Sequence, residues 1–123
     1  MKNIIPKINN RHSLNILSVS TLEGYELVQI DSILYMLAEN CYTIIFLTDN
    51  IKIISTKNLG FYEKRLVVED SFIRIHHSII INLLKVKRYI RTGGGQVVIV
   101  NEKRLPVSRA RKTFLLYVLK QLG

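Results

Sequence analysis

Short apolar runs, rich in isoleucine and valine, alternate with polar and turn-forming clusters along most of the chain. Because β-branched side chains favour extended backbone, each run predicts a strand. Asp and Asn tolerate the backbone angles of tight turns, so Thr48-Asp49-Asn50 predicts a hairpin turn. The predicted strands are Leu14–Leu22, Tyr25–Ile30, Ile33–Ala38, Tyr42–Leu47, Ile51–Ser55, Phe72–Asn82, Val86–Arg91, Gln96–Val100 and Arg104–Val107.

Two segments have helical rather than strand periodicity. Apolar residues three and four positions apart predict a short helix over residues 56–67, with Ser55 or Thr56 as its N-cap. The same spacing predicts a final helix from about Ser108 to Leu122. The pattern as a whole therefore predicts a mainly β fold that contains two helices.

The strand Tyr42–Leu47 is apolar on both faces, which predicts a central sheet covered on both sides. Residues 1–13 include Pro6 and Asn9-Asn10 and are interpreted as an N-terminal tail or linker. Residues 14–123 are long enough for one domain with a modest core.

Charge is distributed unevenly over this domain. The formal net charge is +9, with +10 in residues 72–123 and −1 in residues 1–71. Because 48% of the residues are hydrophobic, the basic half is not a disordered tail, and it indicates a folded surface that binds a polyanion. No apolar stretch has the length of a membrane span or a signal sequence, and the single cysteine, Cys41, agrees with a cytoplasmic location.

Enzymatic chemistry finds little support in the sequence. His76 and His77 are adjacent, so on a regular strand they point to opposite faces and cannot share a metal ion. Gly93-Gly94-Gly95 lacks the following Lys-Ser/Thr of a phosphate-binding loop and is interpreted as a turn. We therefore predict no catalytic residues, no metal and no cofactor.

The start of the final helix points to an anionic ligand. Arg109, Arg111 and Lys112 place three cations where the helix dipole is already positive, an arrangement that an external anion would stabilise. The alternative is a solvated basic face. Since the cations are bunched at one helix end and no basic strand carries interleaved aromatic residues, double-stranded DNA is favoured over a membrane or RNA.

The order of segments resembles the LytTR DNA-binding domain of bacterial response regulators, from about Leu14 to Leu122. The resemblance is carried by three stretches, Ile33-Leu34-Tyr35 to Glu39-Asn40-Cys41-Tyr42-Thr43, Phe72-Ile73-Arg74-Ile75-His76-His77-Ser78 to Ile81-Asn82-Leu83, and Leu105-Pro106-Val107-Ser108-Arg109. It implies an elongated arrangement of small antiparallel sheets with one inter-sheet helix and a C-terminal helix. It also implies loops that enter successive major grooves, bend the duplex and bind promoter repeats as dimers.

The resemblance also implies roles for individual residues. The base-reading candidates are Asn40 or Cys41 in the first loop, His77 in the second, and Arg109 after the last strand. Most of the positive charge is expected to contact phosphates, which set register without reading sequence. The phosphate-binding candidates are Lys57, Arg74, Arg104, Ser108, Arg111 and Lys112.

Two positions depart from the family pattern. The family often carries arginine where His77 stands, so this contact would be shorter and would weaken when the imidazole loses its charge. Strict alternation from Ile73 places His77 on an apolar face, so DNA contact requires a bend near residues 76–78, and without it His77 is a core histidine. Cys41 is an uncommon occupant of its loop, either a redox-sensitive thiol or a half-buried small residue.

The partners expected on this interpretation are promoter DNA, a second copy of the chain, and a receiver domain or sensor kinase pathway that these residues do not encode. The chain is then either a stand-alone regulator or a C-terminal fragment. The competing hypothesis is an interaction module whose basic half docks on an acidic protein or a membrane. His76, Ser78 and Asn82 are interpreted as structural residues that bond backbone at strand ends.

Overall fold

The computed structural model describes residues 14–123, so the predicted tail lies outside the described residues. Within them the mainly β prediction is confirmed, with ten strands and two α-helices. The strands are β1 Ile16–Thr21, β2 Gly24–Gln29, β3 Ile33–Glu39, β4 Tyr42–Leu47, β5 Ile51–Ser55, β6 Phe72–His76, β7 Ile79–Asn82, β8 Val86–Ile90, β9 Gln96–Ile99 and β10 Arg104–Pro106. The helices are α1 Leu59–Arg65 and α2 Arg109–Leu122.

The strands form three antiparallel sheets, with β5-β4-β3-β7-β6 in the centre and β1-β2 and β10-β9-β8 beside it. One face of the central sheet shares a core with β1, β2 and α1, and the other face shares a core with the three-stranded sheet and α2. Ile45 and Leu47 enter the first core while Phe46 enters the second. The predicted covering of both faces is therefore confirmed.

A bulge in β3 adjusts this strand to both cores. Ile33 pairs with Leu47 and Tyr35 with Phe46, which leaves Leu34 as an extra residue. As a result Leu34 and Tyr35 both enter the second core, where Tyr35 stacks on Phe46 with ring centroids 4.4 Å apart. Alternation along a strand cannot predict such a shift.

The single strand predicted over residues 72–82 is wrong, because the chain reverses within it. β6 ends at His76, His77 and Ser78 form the turn, and β7 returns from Ile79. The run is apolar on both sides of the turn, so its pattern did not reveal the reversal. The bend required for His77 to leave the core is therefore present, and His77 is exposed.

The predicted N-caps of the first helix are also wrong. Asn58 caps α1 by accepting a hydrogen bond from the Phe61 amide at 2.9 Å. The Ser55 hydroxyl instead bonds the buried Tyr62 hydroxyl at 2.5 Å, and the Thr56 hydroxyl bonds that of Ser20 at 2.9 Å. These two residues join α1 and the β1-β2 hairpin to the end of β5, and the helix begins later than predicted.

Candidate nucleic-acid interface

Two turns of the central sheet lie side by side at one of its ends. Asn40 and Cys41 connect β3 to β4, with Asn40 in the left-handed region at φ 56°. His77 and Ser78 connect β6 to β7, and the Ser78 carbonyl accepts a hydrogen bond from the Ala38 amide at 2.8 Å. Since β3 pairs with both β4 and β7, antiparallel pairing brings the two turns to the same end.

Two further segments are bonded to this end. The Thr43 hydroxyl donates to the Lys57 carbonyl at 2.8 Å, which holds the β5–α1 connection beside the first turn. The Ser108 amide donates to the Ile75 carbonyl at 2.9 Å, which places the start of α2 beside the end of β6.

The loop between β8 and β9 reaches the same region through the strand that precedes α2. The Val107 amide donates to the Gly95 carbonyl at 3.0 Å. A Cβ added at Gly95 would lie 3.1 Å from Lys112 Cε, so the side chain of Lys112 packs against this loop. We call residues 40–41, 56–58, 77–78, 91–95 and 108–112 the loop edge.

All four predicted base-reading residues lie on the loop edge and are exposed. Asn40 and Cys41 occupy the first turn, His77 occupies the second, and Arg109 is the first residue of α2. Residues separated by up to 69 positions in sequence are thus brought to one end of the fold. Their contact with DNA remains a prediction.

The predicted phosphate-binding residues divide into three groups. Lys57, Ser108, Arg111 and Lys112 lie on the loop edge. Arg104 lies at the start of β10, outside the loop edge, where its Nη1 donates to Gln96 Oε1 at 3.3 Å. Arg74 lies on β6, where only 15% of its side chain is exposed and its guanidinium forms an ion pair with Glu63.

The first turn of α2 is open to an external acceptor at its N-cap. Ser108 has extended backbone at the N-cap, but its hydroxyl makes no cap hydrogen bond, whereas Asn58 caps α1. The turn contains no acidic residue and three basic ones. This arrangement agrees with the predicted anion site, because amide groups and cations converge without an internal carboxylate.

Arg91 is an interface candidate that the sequence interpretation did not include. It is exposed at the end of β8, immediately before the Thr92–Gly94 turn, and this loop packs beside α2. The sequence shows that this arginine stands next to a glycine turn. It does not show that the turn lies beside α2, because that position depends on the pairing of β8, β9 and β10.

Part of the basic charge lies away from the loop edge, at the opposite end of the three-stranded sheet. Lys87 and Arg88 both form ion pairs with Glu102 there. The hydrogen bond and charge of Lys87 lower the pKa of the exposed Glu102 carboxyl. Lys85 and Lys103 lie near the same turn. The expectation that most of the positive charge faces phosphates is therefore too broad.

His76 is bonded within the second turn. Its Nδ1 accepts a hydrogen bond from the Ser78 amide at 3.1 Å, and its ring lies 4.5 Å from that of His77. Desolvation, followed by the charges of His77 and Arg74, lowers the pKa of His76. The neutral ring required by the Ser78 hydrogen bond is thus also favoured by its surroundings.

Over residues 14–123, no three His, Cys, Asp or Glu side chains are grouped so that they could hold a metal ion. Neither helix in this range is long and apolar enough to cross a membrane.

Comparison with known proteins assigns the family. Residues 23–120 match the LytTr DNA-binding domain, and because this covers most of the chain, the chain belongs to that family. LytTr is a family of DNA-binding domains, not of enzymes. The resemblance seen in the sequence is confirmed.

Among solved structures, the fold is similar to a LytTr DNA-binding domain from a Bacillus cereus protein described as a methyl-accepting/DNA response regulator. The TM-score is 0.73 at 22% identity, and the alignment covers 85% of this chain and 96% of the other. At this identity the likeness concerns the fold. No curated protein matches the chain.

Proposed function

We propose that this domain is a transcription regulator that recognises a specific sequence in double-stranded DNA through the loop edge. The observation that carries the proposal is the convergence of Asn40, Cys41, His77 and Arg109, from three separate segments, on one basic end of the fold. Membership of a DNA-binding family supplies the class of ligand.

Reading of bases is assigned to the turns and to the start of α2. A major groove about 12 Å wide admits a narrow turn as it admits a helix, and β3–β4 and β6–β7 are joined by two-residue turns. Arg109 can bond guanine O6 and N7 together, while His77, Asn40 and Cys41 offer shorter contacts.

Phosphate contacts surround these residues. Besides Arg109, the loop edge carries the cations Lys57, Arg91, Arg111 and Lys112, and the Ser108 hydroxyl and the first amides of α2 add neutral donors. Arg104 can extend this surface along the outer face of β10. These groups fix the orientation of the domain on the duplex, which leaves discrimination to the base-reading residues.

The proposal includes repeated promoter sites bound by two copies of the chain, control by a receiver domain or sensor kinase pathway, and a cytoplasmic location. These features follow from the resemblance to response regulators. Titration of duplexes with one or two selected sites, followed by measurement of the mass of each complex, tests the repeat and dimer assignments directly.

The primary test is selection of duplexes from a random library, followed by affinity measurements on selected and scrambled duplexes. Log affinity should fall linearly with log salt, with a slope of about −0.9 per neutralised phosphate. Arg109→Ala should reduce the preference for the selected duplex, whereas Lys112→Ala should weaken both duplexes alike. Identical effects of the two substitutions would contradict the assigned roles.

The competing hypothesis predicts a different result from the same experiment. A module that docks on an acidic protein or membrane would bind heparin and random DNA but would select no sequence. Enrichment of one motif from the library therefore separates the two functions.

A further inference from the structure

Arg74 forms a network centred on the β6–β7 turn. Its Nε donates to the His76 carbonyl at 2.9 Å, its Nη2 donates to the His77 carbonyl, and its Nη1 pairs with Glu63 Oε1 at 2.5 Å. Each nitrogen of the guanidinium thus has a partner, and two of the three partners are main-chain carbonyls, one at the end of β6 and one in the turn.

The bulge in β6 explains why one side chain can reach both carbonyls. Arg74 pairs with Ile80 and His76 pairs with Ile79, so Ile75 is the extra residue and the strand bends just before the turn. The planar fork of an arginine matches two neighbouring acceptors, whereas a lysine ammonium has no such fixed geometry.

The surroundings of Arg74 separate it from the cations of the loop edge. Only 15% of its side chain is exposed, and although Arg111 of the loop edge lines the same cavity of about 400 Å³, it is the Arg74 guanidinium that bonds the His76 and His77 carbonyls. The Glu63 carboxylate compensates its charge and ties the turn to α1. A phosphate would have to compete with this carboxylate for a largely buried guanidinium.

We propose that Arg74 is a positioning residue, which with Glu63 fixes the β6–β7 turn in the conformation that presents His77 to DNA. This inference rests on the proposed function and changes the predicted role of Arg74 from phosphate contact to turn support. Arg74 therefore influences sequence discrimination through His77.

The test compares Arg74→Lys with Arg111→Lys, using a duplex selected by the wild-type protein and a scrambled duplex. Both substitutions retain charge, but only the first removes a fork bonded to the turn. Arg74→Lys should lower affinity for the selected duplex about tenfold, within the range for loss of one base contact. Arg111→Lys should change it by about twofold or less, as expected where charge alone matters.

A double-mutant cycle and the salt dependence show whether Arg74 affects DNA binding through His77 or by contacting phosphate. Once His77→Ala is present, Arg74→Lys should cause little further loss, because both changes remove the same contact. Arg74→Gln should leave the salt slope unchanged, whereas Arg111→Gln should reduce its magnitude by about 0.9. Additive losses, or a reduced slope in Arg74→Gln, would assign Arg74 to phosphate and overturn the proposal.

Amide hydrogen exchange in the free protein tests the turn without DNA. The Ala38 and Ser78 amides, which bond the Ser78 carbonyl and His76 Nδ1, should exchange faster in Arg74→Lys, while the Glu102 amide should not change. Unchanged exchange at Ala38 and Ser78 would overturn the inference. This measurement remains decisive even if the wild-type protein selects no DNA sequence, an outcome that would refute the proposed function alone.

If Arg74→Lys does not fold, Glu63→Gln replaces it, because this variant removes the ion pair and leaves the guanidinium in place. Glu63→Gln should lower affinity for the selected duplex by less than the tenfold expected of Arg74→Lys, and it should cause no further loss once His77→Ala is present. This result, together with faster exchange of the Ala38 and Ser78 amides, supports the proposal. Wild-type affinity and wild-type exchange in Glu63→Gln contradict the role of this pair.

Discussion

Replacement of Asn82 by alanine should destabilise the fold through one buried side chain. Asn82 is 1% exposed, its amide donates to the Ile33 carbonyl at 2.9 Å, and its Oδ1 accepts from the Leu84 amide at 3.1 Å. Loss of the buried donor should cost about 1–3 kcal/mol and loss of the second bond about 1 kcal/mol. We expect a decrease of about 2–4 kcal/mol in the free energy of unfolding.

Asn101→Ala provides the matched control. Its Oδ1 accepts from the Lys103 amide at 3.0 Å, in the same local pattern, but at an exposed turn where water can replace it. This variant should lose less than about 1 kcal/mol. The difference between the two losses of unfolding free energy therefore measures the contribution of the buried hydrogen bond from Asn82 in β7 to Ile33 in β3.

Urea unfolding followed by circular dichroism measures both variants. With a denaturant slope of about 1–3 kcal/mol per molar, the midpoint of Asn82→Ala should move by about 1 M or more. The ratio of affinities for selected and scrambled duplexes should persist while the variant is folded. Equal destabilisation of both variants would refute the reasoning, as would a loss of selectivity without a loss of stability.

Three further predictions concern His76, Gly95 and Cys41. Because the folded-state pKa of His76 is lowered, the unfolded chain binds more protons below about pH 6.5, so stability should fall as pH decreases through this value, and less so in His76→Gln. Gly95→Ala should destabilise more than Gly93→Ala in thermal unfolding, because both glycines have positive φ but only the Gly95 Cβ would meet an obstacle, Tyr89 Oη at 2.7 Å. Bulky alkylation of the exposed Cys41 thiol should weaken DNA binding without changing the unfolding midpoint, and Cys41→Ala should abolish that sensitivity.

The local elements were accessible from the sequence because their signals are local. Apolar runs and turn residues predicted β4 and β5 with their observed bounds and α2 within one residue. Asp49 and Asn50 adopt the left-handed conformation expected in their turn, with φ of 65° and 59°. Each of these features depends on backbone preference or on burial of a single face, which neighbouring residues reveal.

In segments 72–82 and 56–58 the local sequence did not predict the observed structure. The isoleucines of β6 and β7 form one apolar pattern, and only the pairing of the two strands shows that His77 lies in a turn. Asn58 rather than Ser55 caps α1, because Ser55 is committed to a hydrogen bond with Tyr62. In both places the outcome depended on which strands and side chains pair in space, and the hydrophobic pattern does not encode that pairing.

The sequence by itself determined a mainly β domain, a basic second half and a LytTr resemblance that named the candidate base-reading residues. Only the tertiary structure decided which charges share a surface. Antiparallel pairing gathers Lys57, Arg91 and Arg109 at the loop edge, places Lys87 with Glu102 at the other end, and turns Arg74 inward to the carbonyls of the β6–β7 turn. Formal charge is a property of the chain, but its availability to DNA depends on strand direction and on the partners that each guanidinium finds.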